Sequence, residues 1–194
     1  MDTIRIIQKY YHPDSKAYKL LINHSRVVAN KALEVAKRVR ELNLNLTFIE
    51  EAAMLHDIGI FMTDMPELGC SGIHPYISHG YLGREILEKE GLPVHALVCE
   101  RHIGLGLTIQ DIEKNGFQMP MREMTPESLE EKIICFADKF YSKDEQCLFI
   151  EKPIGRIRKM IAFYGEEKLL QFDEWLVFFK EIDETGLERL TIIR

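Results

Sequence analysis

Residues 47–59 read TFIEEAAMLHDIG, and the reading of this stretch decides the fold. Thr47, with Glu50 three positions later, has the form of a capping box, in which a hydroxyl and a carboxylate satisfy the free N–H groups of a helix start. Phe48, Ala52, Ala53, Met54 and Leu55 supply the apolar side chains of a core helix, and Gly59 suits a left-handed cap at its end. The stretch therefore predicts a capped, buried helix whose last turn carries two adjacent ionisable residues, His56 and Asp57.

The flanking sequence continues the helical pattern. Upstream, Leu20, Leu21, Val27, Val28, Val35 and Val39 recur at spacings of three, four and seven, which predicts a long helix over about 17–42, ended by Asn43 and Asn45. Downstream, residues 59–77 hold Gly59, Pro66, Gly69, Gly72 and Pro75 and read as a loop, as do residues 103–125 with Gly104, Gly106, Gly116 and Pro120. Between them, helices are expected over 78–90, closing at Gly91, and over 94–102, opened by Pro93. Thr125-Pro126-Glu127 reads as the start of a helix that runs to about Lys143. No strand-type alternation stands out. The expected class is all-α, with seven to nine helices. A metal-binding catalytic domain is expected over 1–145. A C-terminal helical extension over 146–194 should pack on it through the Phe172, Trp175, Leu176, Phe179 stripe.

Composition narrows the function classes. The chain has 194 residues, 46% hydrophobic and 29% charged, with a formal net charge of -6. An acidic balance argues against a large nucleic-acid surface, so no nucleic-acid partner is expected. No apolar run approaches the roughly 20 residues that span a bilayer, and MDTIRIIQKYYHPDSK lacks a signal-peptide core, so a cytoplasmic protein with no membrane partner is expected. Nothing in the sequence speaks to the oligomeric state. Cys70, Cys99, Cys135 and Cys147 form no CxxC pair, and Cys99 and Cys135 read as buried thiols.

The histidines and two aspartates carry the chemistry. His24 lies inside the first long helix, His79 begins a later helix, His102 ends the one after, and Asp138 follows the apolar run IICFA. Each falls in or beside a stretch that should be buried, where an imidazole or carboxylate is costly unless paired or metal-bound. Together they are ligands of the kind that hold Zn, Fe, Mn or Ni.

In this order, His24, then His56-Asp57-Ile58-Gly59, then Asp138 within ADKF, the sequence resembles the H…HD…D signature of the HD superfamily of metal-dependent phosphohydrolases. The resemblance covers about residues 17–145. It implies an HD-domain helical bundle in which His24, His56, Asp57 and Asp138 bind a divalent transition metal. His79 and His102 match the two further histidines of binuclear members. That implies two metals per chain, with Asp57 bridging them and a metal-bound water as nucleophile. His74 and His95 are spare histidines. Many members carry lysine after HDIG, whereas this chain has Ile60. The cations or donors expected to contact a phosphate in its stead are Arg101, Lys139, Ser142 and Lys143. Asp64, in the loop after the HD pair, reads as a turn residue, with proton donor as the alternative.

The resemblance implies hydrolysis of a phosphate ester or anhydride in a small, nucleotide-type substrate. No GYP motif follows the HD pair, which lowers the cyclic-di-GMP branch. The alternative implied by the same six ligands is a mixed-valent di-iron oxygenase acting on a small molecule. A non-catalytic module with the same fold is disfavoured because all six positions are filled.

Overall fold

The computed structural model describes residues 1–192 and is built almost wholly of helices. In chain order these are α1 (Thr3–Ile7), α2 (Lys16–Arg38), α3 (Leu46–Leu55), α4 (His79–Lys89), α5 (Pro93–Arg101), α6 (Ile109–Asn115), α7 (Leu129–Asp138), α8 (Ile154–Ala162), α9 (Glu166–Phe178) and α10 (Glu184–Ile192). None of them is long and apolar enough to cross a membrane.

The centre is the packing of α2 against α3 and α7, with α5 laid on α3 and α7, and α4 on α5. Along α2, Leu20, Leu21, Val28, Ala32 and Val35 are buried, one stripe of an amphipathic helix, while Val27 is only half-buried. Ser15 caps its start by accepting from the Tyr18 N–H. The long helix ends at Arg38 rather than near residue 42. A short 3-10 turn over Arg40–Leu42 follows, with Asn43 in the left-handed conformation.

Four boundaries differ from the expectations, each for a local reason. The cap of α3 is Asn45, whose side chain accepts from the Phe48 N–H at 3.0 Å, so the Thr47 box is not used. Ser128 begins α7 by accepting from the Glu131 N–H, while Leu107 and Met124 exchange backbone bonds ahead of it. The same helix stops at Asp138, because the chain turns at Lys139 and Phe140 and Lys152 binds back to the Phe140 carbonyl. The expected loop over 103–125 contains α6, opened by a true capping box between Thr108 and Asp111 and closed by Gly116 at φ 63°. Antiparallel strands β1 (Asp64–Met65) and β2 (Cys70–Ser71) are two residues each, too short for any alternation to show.

Gly59 does not serve as a left-handed cap. Among the described glycines it is absent from those with positive φ, and a Cβ there would lie 2.2 Å from the His79 carbonyl oxygen and 2.5 Å from the Gly83 nitrogen. Its missing side chain lets the turn after the HD pair sit directly on α4. Gly83 repeats the device against Cys99 Sγ, which would be 2.2 Å from an added Cβ. On the other side of this turn, the buried Tyr11 hydroxyl donates to the Ile58 carbonyl and accepts from the Phe61 N–H.

The C-terminal helices share the core. Phe172, Trp175, Leu176 and Phe179 are all buried, and the Phe136 ring of α7 lies 5.6 Å from Phe172 and 5.2 Å from Phe179. Each such phenylalanine contributes about 1.5–3 kcal/mol by burial. Lys31 of α2, almost fully buried, is held at 2.8 Å by Glu151 and 2.9 Å by Glu181.

The close approach at Gly59 makes a clear forecast. Gly59→Ala is expected to lower stability by about 2–3 kcal/mol, because the obstacle is backbone that cannot rotate away. Denaturant unfolding of the metal-free protein measures it, and an unchanged midpoint would remove the close-approach account.

Candidate metal centre

The end of α3 and the turn after it carry His56 and Asp57 into the middle of the bundle, where neither has any exposed surface. His24 comes from mid-α2, His79 from the first residue of α4, His102 from the cap of α5 and Asp138 from the last residue of α7. Four helix ends and one helix middle thus converge on one point. All six residues expected from the sequence meet there.

Asp57 is the hub. Its Oδ2 lies 3.2 Å from His56 Nε2 and 3.4 Å from His24 Nε2, and its Oδ1 lies 3.2 Å from His79 Nε2 and 3.4 Å from His102 Nε2. The two oxygens therefore face two different pairs of imidazoles. Asp138 Oδ1 joins the first pair, 2.9 Å from His24 Nε2 and 3.5 Å from His56 Nε2.

The histidines are oriented from behind. Nδ1 of His56, His79 and His102 lies 2.6, 2.6 and 2.7 Å from the carbonyls of Ala53, Tyr76 and Cys99, each three residues earlier. A carbonyl only accepts, so Nδ1 carries the hydrogen in all three, and in the neutral ring Nε2 is the atom that presents a lone pair to the site. His79 and His102 Nε2 are then 3.2 Å apart with lone pairs facing each other, an arrangement that calls for a cation. Two buried thiols brace the backbone behind these residues. Cys99 Sγ donates to the His56 carbonyl at 2.8 Å and Cys135 Sγ to the His102 carbonyl at 3.5 Å. Burial pushes the Cys135 thiol up to about 12 and Cys99 well above its ordinary value, so neither is a thiolate ligand.

The donor set fits a divalent metal. His56 Nε2 and both oxygens of Asp57 are buried with no hydrogen-bond partner, an unfavourable state for a polar atom unless an ion satisfies it. The ligand atoms of His24, His56 and Asp138 lie within 4.8 Å of one another, as do those of His56, Asp57 and His102. Imidazole and carboxylate suit a transition metal.

Charge is distributed unevenly. Burial drives His24 down to about 4 and His102 to about 3. Burial also opposes a charge on His56, but Asp57 and Asp138 outweigh it and carry that imidazole up to about 9. Asp57 and Asp138 stay well below the carboxylate range despite their burial, Asp57 through His56 and Lys143, Asp138 through Lys139 and Lys143.

Two of the four expected substrate-contacting residues reach the cluster. Lys143 Nζ is 2.8 Å from Asp57 Oδ2, and Lys139 Nζ is 2.8 Å from Asp138 Oδ2. Arg101 instead pairs with Glu127 at 2.9 Å and Glu131 at 3.0 Å. Ser142 lies beyond the end of α7, so it does not share a helix face with Asp138, and its Oγ accepts from the Asp144 N–H. Ile60, where the resemblance leads to an expectation of lysine, is buried in the core, and Lys143 instead brings a cation to the cluster. Of the spare histidines, His95 sits against Glu51 and Phe48, and His74 is held by backbone bonds to Met62 and Asp64. Asp64 is exposed, within β1.

Sequence reasoning missed Tyr76 and Tyr11. The Tyr76 ring packs 4.5 Å from His79 and its carbonyl orients that imidazole. An aromatic three residues before a ligand histidine was the available signal.

Comparison with known proteins agrees with this geometry. The family model described as HD domain matches residues 21–142. A tRNA (cytidine(56)-2′-O)-methyltransferase of Thermoplasma volcanium is 28% identical over 167 residues, 84% of this chain and 44% of that protein. One of the same name from Picrophilus torridus is 31% identical over 126 residues, 64% of this chain and 32% of that protein. An uncharacterized protein of Methanocaldococcus jannaschii is 31% identical over 159 residues, 75% of this chain and 86% of that one. The chain thus spans less than half the length of the two methyltransferases. No solved structure matches it.

His56 holds a proton below about pH 9 in the metal-free protein, and a metal needs that lone pair. Metal binding should therefore release close to one proton at pH 7 and tighten as pH rises toward 9, by up to about tenfold per unit. Titration calorimetry in buffers of different protonation enthalpy reads the release directly; no release would show that His56 is not a ligand or is not protonated.

Proposed function

The chain belongs to the HD domain family, whose members are metal-dependent hydrolases, and from that premise we propose that it is a metal-dependent phosphohydrolase. Its substrate is a small phosphorylated molecule, of nucleotide type, and the bond cleaved is a phosphate ester or anhydride. The observation that carries this reading is the pair of lysines at the one partly open side of the cluster. Lys139 and Lys143 are 14% and 16% exposed and Asp138 11%, whereas the other five ligand residues are 5% exposed or less. An anion entering from that side meets two ammonium groups before it meets the imidazoles.

A divalent metal in this centre supplies Lewis-acid polarisation of a phosphoryl oxygen and lowers the pKa of water. The chain's own residues do the rest. His24, His56 and Asp138 would hold a metal at one end of the centre and His79 and His102 one at the other, with Asp57 available to both. The carbonyl bonds from Ala53, Tyr76 and Cys99 keep three imidazoles in the ligating tautomer. Lys143 and Lys139 neutralise phosphate charge. Arg101 and Ser142 can add contacts only on release from Glu127, Glu131 and Asp144.

The same six ligands serve the di-iron oxygenase alternative, and the two lysines would meet an anionic substrate of either chemistry. The tRNA named in two relatives keeps a nucleotide-linked substrate in view. It also leaves the expectation of no nucleic-acid partner, drawn from the charge of -6, without support.

The test is phosphate release from a panel of nucleoside mono-, di- and triphosphates, cyclic nucleotides and dinucleoside polyphosphates, with Mn, Fe, Zn or Ni added singly. Activity should vanish with chelator and fall at least about a hundredfold in Asp57→Asn and Asp138→Ala, as loss of a metal ligand does. Oxygen consumption with an iron-loaded protein, and no phosphate release, would favour the oxygenase instead.

A further inference from the structure

Lys143 occupies a place that a mere surface lysine would not. Its ammonium lies 2.8 Å from Asp57 Oδ2, the same oxygen that faces His24 and His56. That contact is an ion pair rather than an aligned hydrogen bond, since both Asp57 oxygens remain without a hydrogen-bond donor. On its other side the ammonium stands 6.0 Å over the Tyr76 ring, which itself packs on His79. A monovalent cation on a side chain thus sits among the very atoms that would ligate a divalent one.

The segment that carries it is a loop closed at its base. Its base is pinned where the Lys152 N–H donates to the Phe140 carbonyl at 2.7 Å and the Lys152 ammonium binds the Lys139 carbonyl at 2.9 Å. Between these ends the backbone bonds are turns within the loop, Cys147 N–H to Asp144 and Ile150 N–H to Cys147. Leu148 is its buried apolar anchor, while Asp144, Glu145, Gln146, Phe149 and Ile150 are exposed. The loop is tied to α2 by the ion pairs Lys16–Glu145 at 3.7 Å and Lys31–Glu151 at 2.8 Å, so it is compact and joined to the bundle mainly through charged side chains and Leu148.

We infer that Lys143 is a tethered, displaceable cation: it neutralises Asp57 when no metal is bound, is expelled when a divalent cation binds, and swings on the 140–152 loop to the mouth of the site, where it meets the substrate phosphate. This rests on the phosphohydrolase reading of the centre and deepens it. The physical basis is simple. An ammonium and a divalent cation on one carboxylate oxygen repel strongly in a low-dielectric interior, so both cannot stay. Beside Asp138 as well, one imidazolium at His56 does not balance the two buried carboxylates, so a second cation at Asp57 is favoured in the metal-free protein. The side chain is long and its charge compact, so it can leave Asp57 yet remain within reach of the opening. Phosphate recognition is thereby coupled to metal loading, because the lysine is free to bind substrate only once the metal has taken its place.

The experiment uses the full chain and Mn2+ alone as the probe. In titration calorimetry, Lys143→Met should bind Mn2+ about tenfold or more tightly than wild type, because the competitor is gone. Hydrogen exchange on wild type supplies a readout that needs no variant. Adding Mn2+ should speed exchange in peptides covering 140–152 while slowing it in α2 and α3. Equal or weaker Mn2+ binding by Lys143→Met, or slower exchange in 140–152 on loading, would overturn the displacement. If phosphate release from the nucleotide panel persists in that case, the hydrolase reading stands and the coupling alone has failed. If wild type binds no Mn2+ and releases no phosphate with any metal, both fall together.

Discussion

A carboxylate with no exposed surface and no hydrogen-bond donor organises this protein. Asp57 has four imidazoles and one ammonium within about 3.5 Å of its two oxygens, and neither oxygen has an aligned donor. Ionised and unpaired, such a group would cost more than a small domain's margin of stability. The surrounding structure is what makes it tolerable. Imidazoles are brought to it from α2, α3, α4 and α5 and an ammonium from the loop after α7, and a divalent metal is the natural completion of that set.

Meeting this constraint dictates the shape of the bundle. Three of the histidines stand at or next to a helix end, where a side chain can point along the axis into the centre, and each is locked by a carbonyl three residues behind it. Gly59 and Gly83 remove the side chains that would hold α4 away, so that His79 reaches Asp57 Oδ1. Phe136 ties α7, and with it Asp138, to the aromatic face of α9. The C-terminal helices therefore share the core that fixes a ligand of the centre. The HD match ends at residue 142, one residue before Lys143. The family match thus spans the six converging residues, and Lys143, expected from the sequence as a phosphate contact, is placed against Asp57 by the structure.

The two longer methyltransferases show that chains with this region occur within larger proteins. The Methanocaldococcus jannaschii relative, covered over 86% of its length, shows the same region without such a partner segment of comparable size.

How much was legible beforehand follows from the range of each interaction. Helix class, the burial of α2 and α3, and the C-terminal stripe were readable because periodicity of apolar residues is local. The six residues that converge were readable because their order resembles a known signature and because polar residues in apolar runs stand out, as Asp138 does after IICFA. Capping was misassigned at Thr47 and Thr125 because neighbouring Asn45 and Ser128 compete for the same N–H groups, and only the approach of the rest of the chain decides between them. The role of Gly59 could not be read, since its reason is the backbone of α4 some twenty residues away. By itself, then, the sequence determined the helices and the inventory of imidazoles and carboxylates. The tertiary structure alone decided that Asp57 divides its oxygens between two pairs of histidines, and that Lys143, rather than Arg101 or Ser142, faces them. Those are distances between residues remote in the chain, set by how helices pack, and no local pattern contains them.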